Sequence, residues 1–337
     1  MTQSSPLITI AFPVYNGENY MTQALDSILA QTFTDFEVII SDNCSTDSTP
    51  DIARAYAERD PRVRYHRNQS NIGANPNFNQ TVGMARGRYF KWAAHDDVLA
   101  PTYLERCVAE LEADPSVVLA HSYTRLINDD GSDVPLDEHT IFTENGGVIY
   151  VGMDSRDRQL DSPKPSVRLS EIIHRTSWCY EIFGVMRLDA LRRTPLIVDY
   201  YGADKSLLAE LATLGRYAIV PEPLFYNRRH EAQSMSQITT EARTSWSNPK
   251  VKKQGNYRWQ RFKMFMRPVL VADLTLGERA RCLGVVVKYY IRPERIRIML
   301  EEVTGVRMRR LQREAQARAR AKAEAEAQPQ AQDEVTG

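Results

Sequence analysis

The first two thirds of the chain predict a doubly wound, mostly parallel α/β sheet. Three observations carry that expectation. Short apolar, β-rich runs recur at intervals too long for hairpins. Each is separated from the next by a stretch with helical spacing of apolar residues. The runs are continuously apolar rather than alternating, as strands covered on both faces are.

Taken in order, residues 7–12 (LITIAF) form the first strand, ended by Pro13. Residues 18–30 follow as a helix with Ala24, Leu25, Ile28 and Leu29 inward. Residues 36–40 (FEVII) are the second strand, and the run Ser45 to Pro50, rich in capping residues with proline in a first turn, opens a helix to about Glu58. Residues 63–66 make a short third strand, and 71–75 (NIGAN) turn into a helix ending near Gly87. Residues 89–94 are the fourth strand, 101–113 a helix with Leu104, Val108 and Leu111 inward, and 117–121 a fifth strand. From Asn128 to about Ser170 breakers dominate, and a connection this long suits a lid or binding loop. Order resumes with a strand at 179–186 and a short helix from Asp189. An amphipathic helix at 204–214 comes next, then a strand at 217–220 and an extended stretch from Pro221 to His230.

The domain expectation is a nucleotide-binding and catalytic unit at 1–236, its nucleotide half about 1–122 and its acceptor half about 123–236. A basic, aromatic-containing helical extension covers 237–306, and a low-complexity, partly disordered tail covers 307–337. The extension reads either as an amphipathic region lying on anionic lipid or as an appendage packed on the sheet domain or a second subunit.

The 43 basic and 43 acidic residues cancel, and nothing in this balance points to nucleic acid. Four scattered cysteines without a CxxC pair fit reduced thiols rather than a disulfide frame or a zinc site. The N-terminus reads as lacking a signal peptide, and no apolar run is long enough to cross a bilayer. The expectation is a cytoplasmic protein, or one peripheral at the inner face of the membrane.

The chemistry gathers at Lys91-Trp92-Ala93-Ala94-His95-Asp96-Asp97-Val98. Two carboxylates follow a buried strand, at the edge where open α/β sheets bind ligands. Such groups suit a hard, oxygen-ligated cation, and that cation suits a diphosphate. The plainer reading is a strand-ending turn with both aspartates solvated. Asp42, at the end of the second strand, either meets a nucleotide base or caps the next turn. Asn71 and Asn75 either reach the nucleotide or serve as turn and helix-cap residues. Trp178 is either a sugar-stacking ring or core.

The run Thr9 to Asn16, the helix 24–30 with Gln31-Thr32-Phe33, and Glu37 to Thr49 resemble the family 2 glycosyltransferases. Asn71-Ile72-Gly73 and Ala85 to Tyr89 continue the resemblance to the aspartate pair, and it covers roughly residues 7–235. It implies a GT-A fold, a nucleotide-sugar donor, most simply UDP-linked, a divalent Mn²⁺ or Mg²⁺, and inversion at the anomeric carbon. It places Pro13, Val14 and Tyr15 around the base and Asp42 on a uracil-like N–H. Asp96 would face ribose or metal, and Asp97 would ligate the ion. The D-x-D spelling is not met, because Ala94 stands two residues before Asp96 and His95 between them.

The resemblance also makes Asp204, just before the helix from Ser206, the base that takes the acceptor's proton, with Glu181 and Asp199 as rivals. Capping of that helix is compatible with the same role. Arg228-Arg229-His230, followed by Ser234 and Ser236, is the basic segment expected over the diphosphate, with His230 completing the metal shell. The acceptor implied is a hydroxyl of a glycan or lipid-linked molecule in envelope polysaccharide synthesis. Two other classes compete. A sugar nucleotidyltransferase would need a glycine-rich, basic loop after the first strand, but residues 13–18 (PVYNGE) hold one Gly and no Lys or Arg. A non-catalytic nucleotide-sugar-binding protein would have no need of Asp96, Asp97 and Asp204 together.

Overall fold

The computed structural model describes residues 5–134, 141–144, 147–150, 158–176, 178–200, 202–230, 246–248, 257–293 and 295–296. The expected tail at 307–337, Ser234 and Ser236 lie outside the described residues. The chain divides into two compact units, Met1–Val285 and Val286–Gly337. The sheet and the candidate site belong to the first.

The nucleotide half forms as its sequence dictates. β1 (Ile8–Val14), β2 (Phe36–Asp42) and β4 (Tyr89–Trp92) are buried along their whole length. α1 (Met21–Leu29), α2 (Thr49–Arg59) and α3 (Ala74–Met84) make the crossovers, with β3 (Val63–Arg67) at the edge. The two-residue β5 (Val98–Leu99) leads into α4 (Tyr103–Ala113). β6 is longer than expected, Val117–Ile127, because it runs the full length of a partner that the sequence reads as two pieces.

A separate hairpin, β7 (Ile141–Glu144) with β8 (Gly147–Tyr150), lies inside the stretch expected to be irregular. α5 (Pro165–Ser170) continues into a wider turn at Glu171–Arg175. The expected strand at 179–186 is instead a tight turn, Tyr180–Phe183, and a three-residue β9 (Val185–Arg187). Gly184 permits the change. A Cβ there would sit 2.8 Å from the Ala120 carbonyl, so only glycine lets this segment approach β6. α6 (Leu188–Arg192) and α7 (Asp204–Leu214) precede β10 (Arg216–Arg228), one strand in which the expected strand and extended stretch are fused.

The sheet order is β3-β2-β1-β4-β9-β6-β10-β5. The expectation of a mostly parallel sheet needs qualification. β3, β2, β1 and β4 are parallel, and so are β6 and β10, but β9 runs antiparallel to both β4 and β6, and β5 runs antiparallel to β10. β9 pairs with strands some 65 to 100 residues earlier in the chain, so no local pattern announces it. Beyond β10, α8 (Tyr257–Val271) packs on α7, and an Arg267–Glu210 ion pair joins the two helices. α9 (Leu276–Tyr290) follows, and the Ser166 amide at the start of α5 donates to Glu278 Oε2 at 3.1 Å. Through these contacts α8 and the start of α9 meet the sheet domain.

Candidate active site

Register brings the strand ends to one rim. Val14 of β1 stands opposite Asp42 of β2, and Asp42 stands opposite Arg67 of β3. β4 reaches the same rim through the Ala93 amide, which donates to the Ala11 carbonyl at 2.8 Å, and residues 94–97 emerge beyond it. The sequence-predicted residues Pro13, Val14, Tyr15, Asp42 and Asp96 thus share one edge. Pro13 and Val14 are buried, whereas Tyr15 is 44% exposed, so of these three only Tyr15 presents a free ring face. Gly17 is fixed by packing. A Cβ would lie 2.5 Å from Val14 Cγ2 and 2.8 Å from His95 Cδ2. His95 therefore packs against the β1–α1 turn.

Asp42 is fully buried and already engaged. Its Oδ1 accepts from the Ser45 amide at 2.8 Å, its Oδ2 accepts from the Tyr65 hydroxyl at 2.9 Å, and Arg67 Nη1 lies 3.6 Å away. In this conformation the turn-capping alternative describes it. Asn71 likewise closes a turn, its Oδ1 accepting from the Gly73 amide and from Asn43 Nδ2, both at 2.9 Å. Asn75 donates to the Val198 carbonyl at 3.0 Å and ties α3 to the segment before α7. The fixed amides of Asn43, Asn68, Asn77 and Gln80 support this corner from below.

The two adjacent aspartates do different work. Asp97 points inward: its Oδ1 accepts from Asn227 Nδ2 at 2.9 Å and from the Arg228 amide at 3.1 Å, which binds the end of β4 to the end of β10. Burial, then the neighbouring Asp96 charge, push its pKa well above the usual carboxylate range, against those hydrogen bonds and the Lys91 charge. Asp96 points the other way, its Oδ2 lying 2.9 Å from His230 Nε2. Burial works to raise its pKa, but the His230 hydrogen bond and the charges of His95 and His230 outweigh burial and hold it below the ordinary value. The sequence reading puts Asp97 foremost among the ligands and Asp96 beside it. Asp97 braces the strand ends, and Asp96 is the carboxylate paired with His230.

Arg228 also differs from expectation. It is almost wholly buried and its guanidinium is spent on the protein, donating to the carbonyls of Asp96 (3.0 Å), Asn128 (3.1 Å) and Asp129 (2.7 Å) and to Gln23 Oε1. It is a staple that holds Asp96 and the end of β6 in place. Above it, Tyr20 packs on His230 with ring centroids 4.7 Å apart, and its hydroxyl donates to Asp129. That bond, then burial, raise the Tyr20 pKa to about 12. Beside this pair opens a depression of about 640 Å³ lined by Asn19, Tyr20, Asn128, Asp129, Asp130 and Ser132.

A chain of contacts links this corner to Asp204. Arg229, next to His230, lies 4.6 Å over the Trp178 ring and donates to the Tyr180 hydroxyl at 3.0 Å. Trp178 and Tyr180 are stacked, and Cys179 between them hydrogen-bonds Asp204 through its thiol. Trp178 is half-buried, so it is not core. Burial raises the Asp204 pKa, opposed by the Lys205 amide, the Cys179 thiol and the charges of Lys205 and Arg261. The rival bases are less suited. Glu181 is buried in an ion pair with Arg158, and Asp199 is exposed and accepts from Asn248 at 3.0 Å.

Sequence reasoning missed Asn227, Tyr20 and Cys179. Asn227 directly precedes the Arg-Arg-His run, and that position was the available signal for it. The contacts of Tyr20 and Cys179 are made across more than 20 residues of chain and leave no local trace. Among the described residues, no three His, Cys, Asp or Glu side chains converge as a complete metal cage.

Residues 9–162 match the family described as Glycosyl transferase family 2. An uncharacterised glycosyltransferase of Haemophilus influenzae is 26% identical over 240 residues, 69% of each chain. The match to four Rickettsia glycosyltransferases, 34 to 41% identical, spans only 14 to 30% of their length. Among solved structures, S. aureus TarS 1–349 in complex with UDP-GlcNAc superposes with a TM-score of 0.57 at 18% identity, over 84% of this chain and 72% of that one. The mannosyltransferase PcManGT of Pyrobaculum calidifontis, in complex with GDP-Man and Mn²⁺, gives 0.50 at 16% identity, over 90% and 81%. The fold is thus that of the GT-A glycosyltransferases, and residues 9–162 of the chain are similar to the family 2 glycosyltransferases.

Proposed function

We propose that the chain transfers a sugar, with inversion, from a UDP-sugar to a hydroxyl of a glycan or lipid-linked acceptor, on the cytoplasmic side of the envelope. The observation that carries this reading is the Asp96–His230 pair, 2.9 Å apart at the shared rim of β1, β2 and β4 and held there by Arg228 and Asp97. One carboxylate oxygen and one imidazole nitrogen form a partial donor set. They suit a Mn²⁺ or Mg²⁺ ion whose remaining ligands are the donor's phosphates and water. Such an ion, when bound, offsets negative charge on the departing diphosphate.

The protein's own groups do the rest. Tyr15 offers its exposed face to the base, and Arg229, half-buried against Trp178 and Tyr180, is the cation of the Arg-Arg-His run that would serve the phosphates. Asp204, with its raised basicity, accepts the proton of the acceptor hydroxyl as the new glycosidic bond forms. UDP-GlcNAc and GDP-Man in the structural neighbours support a nucleotide-sugar donor, and Mn²⁺ in one of them supports the ion.

The test is calorimetric titration of the full chain with UDP, GDP and dTDP, with and without Mn²⁺ or Mg²⁺. Metal-dependent binding of one nucleotide is expected, abolished in Asp96→Ala and His230→Ala. Failure of every nucleotide to bind rejects the proposal. Retention of metal-dependent binding in both variants rejects the ligand assignment.

A further inference from the structure

The turns that follow β1 and β2 are fastened to each other by side chains that the proposed reaction does not use. The Asn16 amide donates to Ser45 Oγ at 3.0 Å, the Gly17 amide to Thr49 Oγ1 at 2.8 Å and the Glu18 amide to Asp47 Oδ2 at 3.1 Å. Bonds run the other way as well. The Thr46 amide donates to Asn16 Oδ1 at 2.8 Å, and the Ser48 amide donates to Glu18 Oε2 at 2.9 Å. Asn16 keeps its place at φ 51°, a left-handed backbone that asparagine tolerates better than most residues. Behind this clasp the Asn43 amide donates to the Val14 carbonyl at 2.8 Å. Asn16 and Glu18 are exposed, so the core does not depend on their side chains.

The clasp joins the two residues expected around the base. Tyr15 directly precedes Asn16 in one turn, and Asp42 Oδ1 accepts from the Ser45 amide of the other. The clasp also consumes the donors at the start of α2. The amides of Ser45, Thr46, Ser48 and Thr49 donate to oxygens of Asp42, Asn16, Glu18 and Asp47 in turn. An open helix N-terminus attracts anions. This one is filled, and three of its four acceptors are carboxylates. A diphosphate finds no free donor at these amides and is turned toward Asp96 and His230, which leaves the base on the clasped side. We propose that Asn16, Glu18 and Asp47 are positioning residues for the nucleotide, holding the Tyr15 and Asp42 walls of the base site at fixed spacing before the donor arrives. A site ordered in advance loses less freedom on binding, so the affinity depends on the clasp. This inference rests on the nucleotide-sugar reading above.

The experiment is calorimetric titration of the full chain with UDP, GDP and dTDP in the presence of Mn²⁺, together with hydrogen exchange of residues 45–49. Asn16→Gly/Glu18→Ala permits the left-handed backbone at residue 16 and deletes two acceptors. It should bind the nucleotide that wild type binds about tenfold more weakly. Its amides at Thr46 and Ser48 should exchange faster than in wild type, and the nucleotide should restore part of their protection. Glu18→Gln keeps an acceptor oxygen for the Ser48 amide and should bind as wild type does. Both positions are exposed, so the melting temperature should change little. Unchanged affinity of the double variant, unaltered exchange at Thr46 and Ser48, or a loss of affinity shared by Glu18→Gln overturns the inference alone. A wild-type chain that binds none of the three nucleotides rejects the donor reading and this inference together.

Discussion

At Asp204 one desolvated carboxylate bears on both turnover and stability. Burial holds its proton to a higher pH than the ordinary 3.8, and the Cys179 thiol and Lys205 amide only partly offset burial. A base of raised pKa is a better proton acceptor, so the acid limb of kcat/KM should fall above the ordinary carboxylate range. The same shift has a cost in stability. The folded pKa exceeds the unfolded one, so the favourable contribution is complete below the unfolded value and lost as pH rises through the folded one. Asp204→Asn should therefore keep nucleotide binding, lose turnover by at least about a hundredfold, and melt higher than wild type at neutral pH. Asp199→Asn, at an exposed site, should leave turnover unchanged. Single-turnover kinetics and calorimetry on the two variants check this, and normal turnover by Asp204→Asn would remove the base assignment. The position of Asp204 was legible because it opens a clear helix. The direction in which Asp96 and Asp97 point was not, since it is set by Asn227 and Arg228, more than 100 residues away.

At the scale of elements, two glycines four residues apart should respond in opposite senses. Gly87 sits where the α3–β4 turn meets β1, and the amides of Arg86 and Gly87 both donate to Thr9 Oγ1, at 3.1 and 2.9 Å. A Cβ at Gly87 would lie 2.5 Å from the Thr9 nitrogen and 2.7 Å from the Tyr89 carbonyl oxygen. Backbone atoms cannot yield as a flexible side chain does. Gly87→Ala should cost about 3 kcal/mol and lower expression of folded protein. Gly83 lies on the exposed side of α3 with nothing within 4 Å of an added Cβ. Gly83→Ala should stabilise by roughly 0.5–1 kcal/mol. Urea unfolding of both variants measures the contrast. The same contrast between local and distant determinants governs how far the fold could be read. β1, β2 and β4 are uninterrupted apolar runs, and their helices carry their own apolar periodicity, so the nucleotide half was legible element by element. β9 is three residues long and is a strand only because β4 and β6 lie on either side of it. β10 was read as two pieces because Pro221 and Pro223 interrupt it, whereas shifts in register against β6 accommodate both.

For the whole molecule, the most consequential buried group is Lys91, in the middle of β4. Its ammonium donates to the Phe183 carbonyl and faces the rings of Tyr103 at 4.7 Å and Phe225 at 5.5 Å, with no exposed surface. Burial lowers its pKa from 10.5 to about 7, and the charges of Cys107 and Asp97 only partly oppose this. The unfolded chain therefore binds a proton that the folded chain has released, and the contribution of Lys91 to global stability rises with pH between about 7 and 10.5. The gain is complete above the unfolded value and lost as pH falls through the folded one. Its steepest slope is about 1.4 kcal/mol per pH unit, one proton's worth. Neighbouring Cys107 works in the opposite sense, since burial raises its thiol to about 12 and costs stability only above the ordinary 9.0. The window from 7 to 9 therefore isolates the lysine. Lys91→Met keeps the aliphatic stem and removes the charge. Relative to wild type it should gain most stability below pH 7, and its advantage should shrink steadily toward pH 9. Taking the difference of the two stability–pH curves cancels every other titrating group that the substitution leaves in place. Parallel curves across that window would mean that Lys91 keeps its proton inside the folded sheet, with Asp97 ionised beside it as its counter-charge.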